Sequence, residues 1–144
     1  MDVATDGVKL LLVEDSPADV FLVREAMKVE GLPFRLQVAD NGEDAIQVFN
    51  HVDEGTETPP DVLLVDLNVP RKDGMQVLGR MRSSPKCGSV PVIVISSSDS
   101  PADRQRAFAL GASEYFRKPS SLDEFMKLGG VVRMLCRGAR VRTA

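Results

Sequence analysis

Residues 9–15 read KLLLVED: four apolar side chains, Leu10 to Val13, run straight into the adjacent carboxylates of Glu14 and Asp15. A strand that is apolar on both faces must be covered on both faces, as in a parallel sheet layered between helices. Similar runs recur downstream. VLLV lies within DVLLVD (61–66) and VIVI within PVIVISS (91–97), while FRLQVA (34–39) alternates and SEYFRK (113–118) is short. Two neighbouring carboxylates repel each other. Either Glu14 and Asp15 are a wet strand end, or the strand exists to deliver them, and what else comes near decides between the two.

Helical spacing fills the gaps between these runs. In SPADVFLVREAMKVEG (16–31), Ser16 stands at an N-cap, Pro17 at the first helical position and Gly31 just past the end. NGEDAIQVFNHV (41–52) puts Ala45, Val48 and Phe49 on one face. MQVLGRMRSS (75–84) follows the turn VPRKDG (69–74), and DSPADRQRAFALGA (99–112) offers Asp99 or Ser100 as a cap. In SSLDEFMKLGGVVRMLCRG (120–138), Leu122, Phe125, Leu128, Val132 and Leu135 recur at core-facing spacing. Gly129 and Gly130 weaken that helix in its middle. DEGTETPP (53–60) is a polar loop. Five strands alternating with five helices predict an α/β fold: a doubly wound five-stranded parallel sheet of order 2-1-3-4-5.

The chain of 144 residues suits one domain with a proper core, and 43% hydrophobic with 27% charged residues is ordinary for a globular protein. No apolar run approaches the roughly 20 residues that span a bilayer. The opening MDVATDG lacks the pattern of a secretory signal. Cys87 and Cys136 form no CxxC, so the expectation is reduced thiols in a cytoplasmic protein. The net charge of −3 is uneven. The last fourteen residues carry Arg133, Arg137, Arg140 and Arg142 and no acid, leaving −7 on residues 1–130. An acidic body speaks against a nucleic-acid binder. The expected organisation is a flexible N-terminus (1–7), one domain (8–137) and a basic tail (138–144).

In a sheet of order 2-1-3-4-5 ligands bind beyond the carboxyl ends of the strands where the winding reverses, between strands 1 and 3. Strand 1 ends in Glu14 and Asp15, and strand 3 ends in Asp66. Three carboxylates thus converge at the one position where such a sheet places its ligand. Hard oxygen donors of this kind suit Mg²⁺. The single histidine, His51, lies at the far end of the second helix, away from this edge. Strand 4 brings the hydroxyl of Ser96, and strand 5 brings Lys118, followed by Pro119. A metal, a hydroxyl and an ammonium around one aspartate are the equipment for phosphoryl transfer to a carboxylate.

The motifs VED, VDLNVPRKDG, VISSS and YFRKP, each at the end of its strand and in this order, resemble a response-regulator receiver domain from about Val8 to Leu135. LVEDSPADVFLVREAM and DLNVPRKDG are most similar to the single-domain regulators that partner bacterial and cyanobacterial phytochromes. The resemblance implies a flavodoxin-like receiver fold with Asp66 as phosphoacceptor. It implies Mg²⁺ (or Mn²⁺) held by Asp15, Asp66 and the main-chain carbonyl of Asn68, with Glu14 acting through water. It implies that Lys118 contacts the phosphoryl oxygens, that Ser96 closes on them, and that Tyr115 turns inward as it does. Pro70 and Gly74 shape the turn after Asp66. The family usually prefers alanine where Ser97 stands; serine is small enough to serve.

The implied partner is a sensor histidine kinase, with phytochrome pairing implied by the subgroup likeness and with self-catalysed transfer and autodephosphorylation in place of a turnover enzyme. No DNA-binding domain and no membrane segment are expected, so the signal would leave through the face of helix 4, strand 5 and helix 5. A homodimer through that face is expected too, since Val131, Met134 and Cys136 would remain exposed there. Other readings fit less well. A haloacid-dehalogenase-like phosphatase would need DxD, and the second position is Asn68. A flavin carrier would need a phosphate-cradling loop where EDSPAD is acidic and glycine-free. A locked pseudo-receiver would have lost its acids or lysine.

Overall fold

The computed structural model describes residues 7–143, with side chains described as far as Cys136. Five strands, β1 (Val8–Val13), β2 (Phe34–Ala39), β3 (Val62–Asp66), β4 (Val92–Ser96) and β5 (Glu114–Arg117), form one parallel sheet of order β2-β1-β3-β4-β5. The helices are α1 (Pro17–Glu30), α2 (Gly42–Glu54), α3 (Gly74–Arg82), α4 (Pro101–Ala109), α5 (Leu122–Met126) and α6 (Leu128–Thr143). Among the described residues no helix is long and apolar enough to cross a membrane.

The continuous apolar strands are continuous because alternate residues serve different cores. Leu11, Val13, Leu63, Val65, Val92 and Val94 pack with Phe49, Leu78 and Met81 from α2 and α3. Leu10, Leu12, Val62, Leu64, Ile93 and Ile95 face the other way, onto Val23 and Met27 of α1 and onto Phe125, Leu128 and Val132. β3 and β4, inside the sheet, are buried throughout, whereas the edge strands β2 and β5 are only partly covered.

Local chemistry sets the helix ends. Ser16 caps α1 by accepting the Asp19 amide, with Pro17 in the first turn and Gly31 in the left-handed region at φ 72°. Asn41 caps α2, Asp73 and Gln76 form a capping box on α3, and Ser100 rather than Asp99 caps α4. The final helix departs from the sequence reading. It is broken at Lys127 into α5 and α6, and Gly129 lies beyond the break. The glycine has a packing role: a Cβ there would lie 2.5 Å from the Ala26 carbonyl oxygen, so α6 and α1 meet backbone to backbone. Arg133 then reaches Glu30, its Nε 2.8 Å from Oε2. Cys136 is buried rather than exposed, while Met134 is 57% exposed. The expected basic tail (138–144) is not separate from the domain's last helix, since α6 continues to Thr143; the side chains of Arg137, Arg140 and Arg142, and residues 1–6 and 144, lie outside the described residues.

Two fastenings hold the β3–α3 loop. The first two amides of α2, on Gly42 and Glu43, donate to the carbonyls of Pro70 and Arg71 at 3.0 and 2.7 Å. This close approach forces Arg71 and Lys72 into left-handed backbone, φ 52° and 77°, at roughly 1 kcal/mol each or more. On the other side, Gly74 packs against Asp66 and Leu67, where a Cβ would come within 2.6 Å of backbone. At Gly42 a Cβ would lie 1.7 Å from the Lys72 carbonyl oxygen. Gly42→Ala should therefore lower unfolding stability by about 2 kcal/mol or more. Gly79→Ala, in the exposed interior of α3 with open space around its Cβ, should raise it by about 0.5–1 kcal/mol. Urea denaturation of both variants checks this, and a neutral Gly42→Ala would refute the latch.

Candidate functional site

Registry delivers the site. Val13 pairs with Val65, so Glu14 continues past β1 beside Asp66, and Ser96 pairs with Arg117, which puts Lys118 one residue further along the same edge. Asp66 and Glu14 are buried, 6% and 3% exposed. The Lys118 ammonium reaches across to both: Nζ is 2.6 Å from Asp66 Oδ2 and 3.0 Å from Glu14 Oε1. Its third partner is Asp19 Oδ2, at 2.7 Å. The remaining oxygens are held by backbone, with the Asn68 amide donating to Asp66 Oδ1 at 2.8 Å and the Ser16 amide to Glu14 Oε2 at 3.1 Å.

The electrostatics follow from crowding. Burial first, and then the charge of Asp66, push the Glu14 carboxyl up to about 7 against the pull of Lys118. Burial disfavours the charged form of Lys118, but its hydrogen bonds to Asp19, Asp66 and Glu14 outweigh this and raise its pKa. Carboxylate oxygens of Glu14, Asp19 and Asp66 all lie within 4.8 Å of one another. This all-oxygen, acidic donor set fits a hard divalent cation such as Mg²⁺ or Mn²⁺.

The sequence-derived residues are not all equally placed. Glu14, Asp66 and Lys118 are in direct contact. Asp15 is exposed, at the rim, and Asn68 is exposed with its amide on Asp66. Ser96, fully buried at the end of β4, accepts the Ser98 amide at 3.0 Å. Tyr115 is already inward: it is 9% exposed, its hydroxyl donates to the Ser98 carbonyl at 3.1 Å, and Arg104 stacks over its ring at 4.7 Å. Ser98 also donates to Asp103 at 2.7 Å, joining the loop to α4. His51 is exposed on α2.

Two residues escaped the sequence reading. Asp19, as an acid in the first turn of a helix, is what a helix dipole favours anyway, so nothing marked it as part of a site. Ser98 is one serine in the run SSSDS, and only its contacts distinguish it.

Residues 10–128 match the family model for the response regulator receiver domain. The chain belongs to that family. It is 36% identical over 127 residues to the transcriptional regulatory protein TrcR of Mycobacterium tuberculosis, covering 88% of this chain but only 46% of TrcR. It is 32% identical over 120 residues to response regulator Rcp1 of Synechocystis, covering 83% of this chain and 82% of Rcp1. Among solved structures, the phosphorylated cyanobacterial phytochrome response regulator RcpA superposes with a TM-score of 0.81 at 29% identity, over 90% of this chain and 94% of that one. The Mn²⁺-bound form of Rcp1 gives 0.77 at 30% identity, over 86% and 91%. Phosphotransfer is the general function of receiver domains, and histidine kinases are their partners; the matched model contains no DNA-binding domain.

Glu14 makes the receiver's stability depend on pH. A carboxyl that holds its proton more tightly folded than unfolded favours the fold only while protonated. That advantage is complete below the ordinary value of 4.5 and is lost as pH rises to about 7. The lowered pKa of Asp53, due first to its hydrogen bond from Ser84, acts only in the acid range, and the raised pKa of Lys118 acts only in the alkaline range. Without divalent ions, unfolding stability should fall by about 2–3 kcal/mol between pH 4.5 and 7.5, and Glu14→Gln should flatten most of that slope. Thermal melts across the range test this; an unchanged slope in the variant would assign the proton elsewhere.

Proposed function

We propose that this chain is the phosphoacceptor of a phytochrome-type sensor histidine kinase and acts in the cytoplasm. The observation that carries the phosphoacceptor assignment is the setting of Asp66: a buried carboxylate at the switch point of the sheet, with one oxygen on a backbone amide and the other on Lys118. Likeness to Rcp1 and RcpA along most of their length supports the phytochrome partner.

In the proposed reaction a carboxylate oxygen of Asp66 forms a bond to phosphorus in line as the phosphorus–nitrogen bond of a phosphohistidine breaks. The imidazole leaves with that electron pair and takes up a proton. Lys118 neutralises charge that develops on the equatorial oxygens. When bound, Mg²⁺ or Mn²⁺ supplies further electrostatic stabilisation of those oxygens. Asp15, Asp66 and the Asn68 carbonyl would hold the ion, with Glu14 acting through water. Loss of phosphate by hydrolysis returns Asp66 to its starting state, so the chain is a self-phosphorylating switch rather than a turnover enzyme.

Ser96 is the hydroxyl that turns to the phosphoryl group. To do so it gives up the Ser98 amide, and Ser98 also holds Tyr115 and, through Asp103, the start of α4. Movement at Ser96 is thereby transmitted to α4 and β5, a two-state element that phosphorylation biases and that lies beside α6 in the proposed output face. This face exposes Phe108 and Met134, 44% and 57%, and is our candidate for homodimer contact and partner binding.

Asp66→Asn preserves volume and removes the nucleophile. Intact mass after incubation with a small acyl phosphate and Mg²⁺ should show one added phosphate on the wild type and none on the variant; a persisting gain would overturn the assignment. Sedimentation at micromolar concentration should reveal a dimer that Met134→Glu disrupts, and a monomer in both phosphorylation states would end that part of the reading.

A further inference from the structure

An ammonium has three N–H donors, and in this protein each of Lys118's is directed at a different carboxylate: Asp66 at 2.6 Å, Asp19 at 2.7 Å and Glu14 at 3.0 Å. Its hydrogen-bonding capacity is full. A phosphoryl oxygen on Asp66 can be read by Lys118 only if one of these partners lets go.

The three are not equally able to do so. Asp66 is the residue that carries the phosphoryl group, so it stays beside the lysine. Glu14 is 3% exposed, and its second oxygen is tied to the Ser16 amide; cut loose, it would be a buried carboxylate without its counter-charge. The Asp19 side chain is 25% exposed and can exchange Lys118 for water. Its position is set by the start of α1, where its own amide caps on Ser16 Oγ, so the carboxylate is presented to the lysine whether or not phosphate is there. It is also a like charge beside an incoming phosphoryl dianion.

Resting on the phosphoacceptor reading above, we propose that Asp19 is a positioning residue that competes with the phosphoryl group for Lys118 and so restrains the phosphorylation of Asp66. It acts through Lys118, whose ammonium it meets at 2.7 Å, and the Mg²⁺ titration below separates this role from direct ligation of the ion by the same carboxylate. The role belongs to this chain's own PAD segment (17–19) and sets how strong a donor must be before the switch responds.

Asp19→Asn tests the inference cleanly, because the cap uses the Asp19 backbone amide and survives the change. Full-length wild type, Asp19→Asn, Asp19→Glu, Asp15→Asn and Asp66→Asn are incubated with a small acyl phosphate and Mg²⁺, and phosphate gain is followed by intact mass. Binding of beryllium fluoride, a non-reacting mimic of the phosphoryl group, is titrated in parallel by NMR, as is Mg²⁺ alone. Loss of one partly exposed ion pair corresponds to about a two- to fivefold effect. Asp19→Asn should gain phosphate faster and bind beryllium fluoride more tightly by that factor, with Mg²⁺ affinity changed less than about twofold. Asp19→Glu, which restores the charge, should return both towards wild type. Unchanged or slower phosphorylation in Asp19→Asn overturns the inference. So does a loss of Mg²⁺ affinity as large as that of Asp15→Asn, which would make Asp19 a metal ligand. If the wild type gains no more phosphate than Asp66→Asn, the phosphoacceptor reading itself falls, and the failure is recognisable because it appears in the wild type.

Discussion

One ammonium among three carboxylates is the constraint on which the rest of this structure depends. Glu14 and Asp66 are buried at the middle of the sheet edge, where like charges close together are strongly disfavoured, and Lys118 is the cation that makes their burial tolerable. The lysine comes from the far side of the sheet, beyond β5, while the acids come from β1, β3 and α1. The cluster therefore exists only when all three strand ends are in register, and it turns correct strand order into correct site chemistry. Its residual strain remains visible in Glu14, whose carboxyl is pushed up to about 7. A site that holds excess negative charge is ready for a divalent ion and for a group that uses the lysine.

Around this centre the backbone is held closer than ordinary side chains allow. Gly74 sits against Asp66 and Leu67, Gly42 against Lys72, and Gly129 against Ala26. The first two fix the loop that leaves Asp66, so the acceptor and the Asn68 backbone are presented in one arrangement. The left-handed backbone at Arg71 and Lys72 is the cost of that arrangement, borne by exposed residues. On the opposite flank the links are softer. Ser96, Ser98, Tyr115 and Asp103 are connected by single hydrogen bonds through a partly exposed loop. A rigid acceptor side and a compliant hydroxyl side are what a switch needs, because the chemistry keeps its geometry while the response moves.

The architecture was written locally. Continuous apolar runs in β1, β3 and β4 can be satisfied only between two helical layers, and Ser16, Pro17, Gly31 and Ser100 mark helix ends through their own backbone preferences. Strand order then placed Glu14, Asp66, Ser96 and Lys118 on one edge without any knowledge of side-chain contacts. The break at Lys127 and the purpose of Gly129 were not legible, because glycine in a helix reads as weakness unless the partner helix is known. Cys136 was misjudged for a related reason: which part of an apolar stripe is covered depends on where α6 meets α1.

Asp19 marks the boundary most clearly. Sequence by itself determined the sheet, the family motifs and the acids at the strand ends, since these follow from periodicity and from the chain's order along the fold. Only the tertiary structure decided that Asp19 shares Lys118 while Asp15 stays at the rim, and that Ser98 ties Ser96 to Tyr115. The physical reason is reach. Secondary structure places a backbone to within a few ångströms, but a charged hydrogen bond forms or fails within less than one, and that last distance is set by helices and strands packing together.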